Sequence, residues 1–318
     1  MSLLLLSVGC RGAEEKQDPA LAAAAPRRPG QDAAKAPVEE KAPEAQAQPM
    51  VTLASDPAQA ERDLAEAQAR YAQNPNDEDA IVWLGRRLGY VGRYEEAVET
   101  FSKGLELNPD SARLLRFRGH RNITLRRFAD AVKDLERARE LTAGKPDVPE
   151  PDGKANVVNG PIETLHSAIT YHLGLAHYLL GDFERALAVY QSGAEVARAH
   201  PDRSVSLGYW TWLTLSQLGR ADEAQRSIAN LDLAATLGES FDYRDLLRCF
   251  RGELTEQQVL EGAEKGSVGE ATRCYGLAIQ RKVHGDEAGA RELWTRAAGG
   301  MHAAFGCIAS EVELSKVK

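Results

Sequence analysis

Apolar positions from residue 57 onward recur at spacings of three and four, the period of helices that bury one face. Asp56-Pro57-Ala58-Gln59 predicts a helix start, because an acidic N-cap precedes proline at the first helical position and glutamine at the third. Later segments pair a small residue with a large one four places on: Ala97 with Phe101, Ala131 with Leu135, Ala186 with Tyr190, and Ala290 with Trp294. Such a seam lets helices approach closely, so the pattern predicts an all-α protein of antiparallel helix pairs.

The segment around Gly92–Ala97, with Trp83-Leu84-Gly85 before it and Pro109 after it, resembles the 34-residue tetratricopeptide repeat (TPR). In that alignment, copies fall at about 78–111, 112–145, 167–200, 205–235 and 271–304. The resemblance implies a TPR-type α-solenoid over residues 57–318, a superhelix of antiparallel helix pairs with a concave groove. Residues 241–263 are expected to form an irregular helix pair, and a helix from about residue 303 to 317 is expected to cap the stack.

Residues 142–165 interrupt the repeats with four prolines and three glycines, which excludes regular helix. A long loop inside a repeat array is often functional, so one interpretation is a lid or hook over the groove. The other is a plain spacer between two blocks of repeats, since inserted loops cost little free energy in a solenoid.

The first ten residues, MSLLLLSVGC, resemble the end of a bacterial lipoprotein signal. The resemblance implies cleavage before Cys10 and attachment of lipid, including palmitate, to its sulfur. The apolar run is short and no basic residue precedes it, so a start upstream of Met1 is a further expectation. The alternative interpretation is a short apolar tail with an incidental free cysteine.

Residues 11–56 contain 13 alanines, six prolines and no aromatic residue. Such a segment buries too little apolar surface to offset its ordering entropy, so we expect a disordered linker. With Cys10 lipidated, this linker is a tether that holds residues 57–318 away from a bilayer. With Arg11 after the cysteine, family knowledge implies sorting to the outer membrane, on its periplasmic face.

The overall charge argues against nucleic acid as a partner, because 47 acidic residues outnumber 39 basic ones, for a formal net charge of −8. The sequence contains no nucleophile elbow, phosphate-binding loop, HExxH or CxxC motif, so neither enzyme activity, a cofactor nor a metal site is expected. His172 and His177 are interpreted as surface or partly packed helix residues. Cys249, Cys274 and Cys307 are interpreted as small core residues, although one disulfide among them stays open.

The groove can be placed by the family's pattern of first-helix positions. Carried over to this sequence, those positions are Arg86, Tyr90, Arg113, Arg116, His120, Tyr171, Tyr178 and Tyr209. Residues 111–129 hold six arginines and no acid, which favours binding of an acidic or carboxylate-bearing peptide. Trp83 and Phe117 stand where the carboxylate-clamp TPR has asparagine, and Arg118 stands where the repeat buries leucine. The alternative is a solvated basic face balanced by acids on neighbouring helices.

Two functions follow from these features. The first is a lipid-anchored scaffold or adaptor of the bacterial cell envelope, which binds envelope proteins or peptides in its groove. Around Arg251–Gln257 and beyond, the sequence resembles an outer-membrane TPR lipoprotein, which implies an adaptor for a periplasmic carboxy-terminal-processing protease and for peptidoglycan hydrolases. The second is a periplasmic assembly or secretion accessory that grips clients in transit. An enzyme with loop 142–165 as its lid is a third, disfavoured reading, and a homodimer is compatible with either of the first two.

Overall fold

The computed structural model describes residues 56–150 and 163–316. The predictions for the signal, for Cys10, for the linker and for the middle of loop 142–165 therefore lie outside the described residues. Those that are described form fourteen α-helices and no strand, which confirms the all-α prediction. In chain order the helices are α1 (Pro57–Gln73), α2 (Glu78–Tyr90), α3 (Tyr94–Leu107), α4 (Ala112–Thr124), α5 (Phe128–Thr142), α6 (Leu165–Leu179), α7 (Phe183–Ala197), α8 (Pro201–Gln217), α9 (Ala221–Ile228), α10 (Phe241–Phe250), α11 (Glu256–Glu261), α12 (Val268–Val283), α13 (Glu287–Ala298) and α14 (Phe305–Lys316).

Short polar side chains set where many of these helices begin. Asp56 Oδ1 accepts hydrogen bonds from the backbone N–H groups of Ala58 and Gln59, at 2.9 and 3.1 Å, and Pro57 follows it. This confirms the predicted start of α1, because the carboxylate satisfies donors that the first turn leaves unpaired. Similar side-chain caps are made by Asp77, Ser111, Thr164, Asp182, Thr255, Ser267 and Asp286.

The predicted seam of small and large residues is the core of the helix pairs. Its four alanines and their four large partners are all at most 1% exposed. Glycines on the first helices make room for the large rings: a Cβ added to Gly85 would lie 2.3 Å from the ring of Phe101, and one added to Gly174 only 2.2 Å from Tyr190. The helices of each pair can approach this closely only because these positions carry no side chain.

The turns between paired helices need one residue in the left-handed region. Glycine fills this position before α3, α7, α9 and α13, with φ between 70° and 83°. In the turn between α4 and α5 the residue is Arg126, at φ 60°. An L-residue is strained there, so its side chain is expected to compensate through a contact.

The last helices return toward the first half of the stack. The expected irregular pair is α10 and α11, and the expected closing helix is α14. Besides capping α12 and α13, α14 reaches the turn between α4 and α5, where Arg126 donates to Glu311 from Nε at 2.9 Å and from Nη2 at 2.8 Å. Within the described part of the chain, none of the helices is both long and apolar enough to cross a bilayer.

Candidate inner binding cavity

A cavity of about 620 Å³ lies between α4, α6, α8, α10 and α12, beside the beginning of α14. We call it the inner cavity, because it faces the first helices of successive pairs. Its lining includes Arg116, His120 and Tyr171, three of the residues that the sequence predicted for the groove. The volume lies in the range of sites that hold a small ligand or a few side chains of a partner.

Aromatic rings form one wall of the inner cavity. The His120 and His172 rings lie 4.2 Å apart, and the Phe305 ring at the start of α14 lies 5.6 and 5.8 Å from them. Tyr171 Oη lies 2.8 Å from Tyr243 Oη. Because these rings come from four helices and hold one another in place, the wall is a preorganised apolar surface with polar edges.

Arg116 is almost fully buried and pairs with two acids of the 142–165 loop, one before and one after residues 151–162. Its Nη2 lies 2.8 Å from Glu150 Oε2 and 2.7 Å from Glu163 Oε2. A backbone bridge between Pro149 and Thr164 brings those ends together. Burial raises the pKa of Glu150 to about 7, although the Arg116 charge opposes the shift. The described ends of the loop therefore pair with Arg116, a predicted groove residue, and a role of the loop as hook or as spacer stays a prediction.

Arg86, Tyr90 and Arg113 lie on α2 and α4 and are not among the residues that line the inner cavity. Arg86 Nη2 donates to Tyr90 Oη at 3.1 Å, and its guanidinium lies 4.8 Å above the Trp83 ring and 5.3 Å above Phe117. Trp83 and Phe117 thus stack on arginine at the positions where the carboxylate-clamp TPR has asparagine. Arg113 points away from the cavity, where it pairs with Asp79.

Tyr178 and Tyr209 lie inside the protein. Each is at most 3% exposed. Tyr178 Oη lies 2.6 Å from Tyr275 Oη, and the Tyr209 ring stacks on Tyr243 at 4.6 Å. The returning helices α10 and α12 cover both rings, so in this arrangement they support the wall and present no surface to a partner. Their assignment to the groove remains an untested prediction.

Several residues that line the inner cavity are not among the predicted groove residues. Arg139 and Arg203 lie on α5 and α8, and neither has a carboxylate partner within 4 Å among the described residues. Arg203 makes only a 3.5 Å contact with Thr164 Oγ1. Phe305 comes from the far end of the chain, so no local pattern identifies it. Arg203 is the third residue of α8, which begins at Pro201, and repeat alignment alone does not give it a groove position.

His172, His177, Cys249, Cys274 and Cys307 are buried. His172 Nδ1 donates to the Ala168 carbonyl at 2.7 Å, and burial lowers the pKa of His172 well below its usual value. His172 and His177 are 3% and 2% exposed, so both are more deeply buried than the surface or partly packed positions expected for them. Cys249, Cys274 and Cys307 are free thiols. Burial raises their pKa to about 11, 11 and 12, which makes them poor nucleophiles near neutral pH. No cluster of three metal-ligating side chains occurs in the described ranges.

Arg118 stands where the repeat normally buries a leucine, and an ion pair with Asp134 accommodates its charge there. Its Nε and Nη2 donate to the two carboxylate oxygens of Asp134 at 2.8 and 2.6 Å, and Asp134 is 4% exposed. An internal ion pair thus replaces an apolar contact without shifting the helix register.

Comparison with known proteins identifies a tetratricopeptide repeat at residues 79–111. The chain is similar in structure to YrrB, described as a TPR protein with an unusual peptide-binding site (17% identity, 74% of this chain and 95% of that chain, TM-score 0.40). It is also similar to a tetratricopeptide repeat protein from Parabacteroides merdae (14% identity, 80% and 93% coverage, TM-score 0.48). A further similarity is to the Naa15/Naa10 complex bound to HypK (16% identity, 80% and 36% coverage, TM-score 0.36). No curated protein matches the sequence.

Proposed function

We propose that this chain, an all-α stack that contains a tetratricopeptide repeat, is a non-enzymatic adaptor that binds a segment of a partner protein in its inner cavity. The repeat and the fold indicate a protein-interaction scaffold in general terms. The observation that carries the specific proposal is the inner cavity itself, a preformed space of about 620 Å³ beside three predicted groove residues. A space of this size accepts a few side chains but no folded domain.

The charges around the inner cavity indicate what its occupant should carry. Four acids line the cavity: Glu163 pairs with Arg116, Asp202 accepts hydrogen bonds from the backbone of residues 238–240, Asp242 pairs with Arg273, and Glu239 is exposed. Arg139 and Arg203 have no such acidic partner among the described residues. Val196 and Val268, on the cavity lining, are 52% and 43% exposed. An acidic segment with one or more apolar side chains would complement this surface.

The location of the adaptor rests on the sequence alone. We place it at the bacterial cell envelope, anchored by lipid on Cys10 and extended by the linker 11–56, with an outer-membrane site facing the periplasm. Mass spectrometry of the mature protein tests this part directly. An acylated N-terminal Cys10 supports the anchor, and an intact unmodified N-terminus contradicts it.

Charge reversal at Arg139 tests the inner cavity as the binding site. Arg139→Glu should weaken capture of a partner from solubilised envelope by about tenfold, because it places a negative charge where an acidic segment would bind. Arg137→Glu is the matched control, since Arg137 lies on the same helix outside the cavity lining and pairs with Asp110 and Glu140. Arg116 is unsuitable, because glutamate there would lie buried between Glu150 and Glu163. Equal capture by Arg139→Glu and the unmutated protein would contradict the proposal.

The same experiment separates the adaptor from a periplasmic assembly or secretion accessory. Captured partners that are few and stoichiometric support the adaptor. Many substoichiometric clients would instead support the accessory. Quantitative mass spectrometry of the captured material distinguishes the two outcomes.

A further inference from the structure

A second, smaller chamber of about 100 Å³ lies between α2 and α4 next to the inner cavity. Three arginines line it, Arg86, Arg116 and Arg121, together with His120 and Glu163. A cavity can hold one water molecule when on the order of 10 Å³ of it is open to the centre of a water-sized sphere. The chamber therefore has room for several waters or for one small polyatomic ion, but not for a peptide.

Arg121 is the least compensated of the three arginines. It is 8% exposed, and it has no carboxylate partner within 4 Å among the described residues. Its Nη2 donates to His120 Nε2 at 2.6 Å, and its guanidinium lies 5.7 Å from the centre of the Tyr94 ring. Burial lowers the pKa of Arg121 to about 10, as expected for a cation whose water has been removed without a counter-charge.

Arg86 and Arg116 add donors that have no acceptor. Arg86 Nη1 and Arg116 Nε are both buried and make no hydrogen bond in the described structure. Arg116 is 3% exposed, and its two acidic partners Glu150 and Glu163 both lie against a single atom, Nη2. Arg86 is held by Tyr90 and by aromatic faces, none of which carries a negative charge. Buried charges of this kind are costly unless an opposite charge is present.

The charges around the chamber set the sign of the charge on a fitting ligand. Three arginines are opposed by the two carboxylates of Glu150 and Glu163, which both lie at Arg116, so one positive charge is left in excess and neither Arg86 nor Arg121 has a carboxylate of its own. His120 adds none, because it accepts a hydrogen bond at Nε2 from Arg121 and burial lowers its pKa well below the usual value. We propose that this chamber binds a small oxyanion of the phosphate or sulfate type. Guanidinium groups from two helices suit such an ion, since each offers paired N–H donors to its oxygens.

The test uses the purified full chain at pH 8, with sodium phosphate, sodium sulfate or sodium chloride at equal ionic strength. Phosphate and sulfate should raise the thermal unfolding midpoint, with the logarithm of the ion concentration once it exceeds the dissociation constant, because an ion that binds only the folded state stabilises it. Chloride should give no such increase. Isothermal titration with phosphate should give one site per chain. A response that is the same in all three salts would overturn the proposal.

Substitutions of residues that line the chamber test whether the ion binds there. Arg86→Gln and Arg121→Gln should each weaken phosphate binding by about tenfold or more, since each removes a charge-assisted contact. Arg127→Gln is the matched control, because Arg127 is an exposed arginine outside the chamber and makes the same change in net charge. Glu163→Gln should tighten binding severalfold, because it removes the carboxylate that faces the ion.

The Arg86→Gln variant keeps the test informative if Arg121→Gln fails to fold, because Arg86 is only half-buried. Loss of phosphate binding in Arg127→Gln to the same degree as in Arg86→Gln would contradict the chamber as the site. Weaker binding in Glu163→Gln would contradict the charge balance on which the proposal rests. Arg116, His120 and Glu163 line both the chamber and the inner cavity, but the test of the ion site uses the purified chain and a free ion, without a partner in the inner cavity.

Discussion

At the scale of single residues, the centre of the molecule keeps two histidine rings uncharged. The His120 and His172 rings lie 4.2 Å apart at a tilt of 37°, and Arg116 and Arg121 lie close enough to oppose a positive charge on either ring. Burial is the larger cause of the lowered pKa of both, and the arginines add to it. The folded protein therefore excludes protons that the same side chains accept once the chain unfolds.

We expect this pair to make stability depend on pH. Below pH 6.5 the unfolded state binds protons that the folded state does not, so the free energy of unfolding falls by about 1.4 kcal/mol per pH unit for each such histidine. His172→Phe keeps a ring in place and should remove one of the two contributions. Urea unfolding between pH 5 and 7.5 measures the slope. Parallel curves for the variant and the unmutated protein would contradict the prediction.

The acids that pair with the arginines could not be predicted from the sequence. The sequence shows that residues 111–129 contain a cluster of six arginines, but it does not show which acids they contact. Arg118 pairs with Asp134, and Arg116 pairs with Glu163, which is 47 residues away. Periodicity shows which helix face a residue occupies, but it does not show which distant acid meets that face. Four of the six arginines therefore pair with acids of the chain, whereas Arg121 and Arg127 have no carboxylate within 4 Å among the described residues.

At the scale of helices, α14 and α12 approach so closely that their backbones touch. A Cβ added to Gly306 would lie 2.3 Å from the carbonyl oxygen of Ala271 and 2.8 Å from the nitrogen of Thr272. These neighbours are backbone atoms of a buried helix, so they cannot move aside as a flexible side chain could. Gly306 thus fixes the position of α14 and, through Phe305, the end of the inner cavity.

Gly306→Ala should destabilise the protein by about 2–3 kcal/mol, because the added methyl group must push α14 away from α12. Gly299→Ala is the control, since a Cβ there would lie 3.6 Å from its nearest neighbours, an ordinary contact distance. Denaturant unfolding of both variants gives the difference. Equal stability of the two alanine variants would show that α14 is not held by this contact.

The helix pairs themselves were predictable, whereas the placement of the last helices was not. The seam of alanine and large residues has a local period, so the sequence carries its signal within each repeat. The return of α14 to the turn between α4 and α5 depends on Arg126 and Glu311, which are 185 residues apart. Such a contact leaves no periodic trace, and for the same reason the burial of Tyr178 and Tyr209 beneath the returning helices could not be foreseen.

At the scale of the whole molecule, α14 connects parts of the stack that are distant in sequence. Glu311 binds Arg126 in the second repeat, and two residues later Glu313 accepts hydrogen bonds from Gln217 of α8 at 2.8 Å and Lys282 of α12 at 3.1 Å. Arg126 occupies a turn position where neighbouring pairs have glycine, at φ 60°. The backbone of this turn is thus strained at Arg126, and the side chain of Arg126 pairs with Glu311 of α14.

Two variants separate the strain from the contact. Glu311→Gln removes the charged partner only and should cost about 1 kcal/mol of stability, as expected for a half-exposed pair. Arg126→Gly removes the contact but also relieves about 1 kcal/mol of backbone strain, so the free energy of unfolding should stay nearly unchanged. Both variants should speed hydrogen exchange in α14, because each frees it from the α4–α5 turn. In Arg126→Gly alone, the free energy of unfolding would stay nearly unchanged while hydrogen exchange in α14 becomes faster. Unaltered exchange in α14 in both variants would mean that its packing on α12, rather than the Arg126–Glu311 pair, holds it against the first half of the stack.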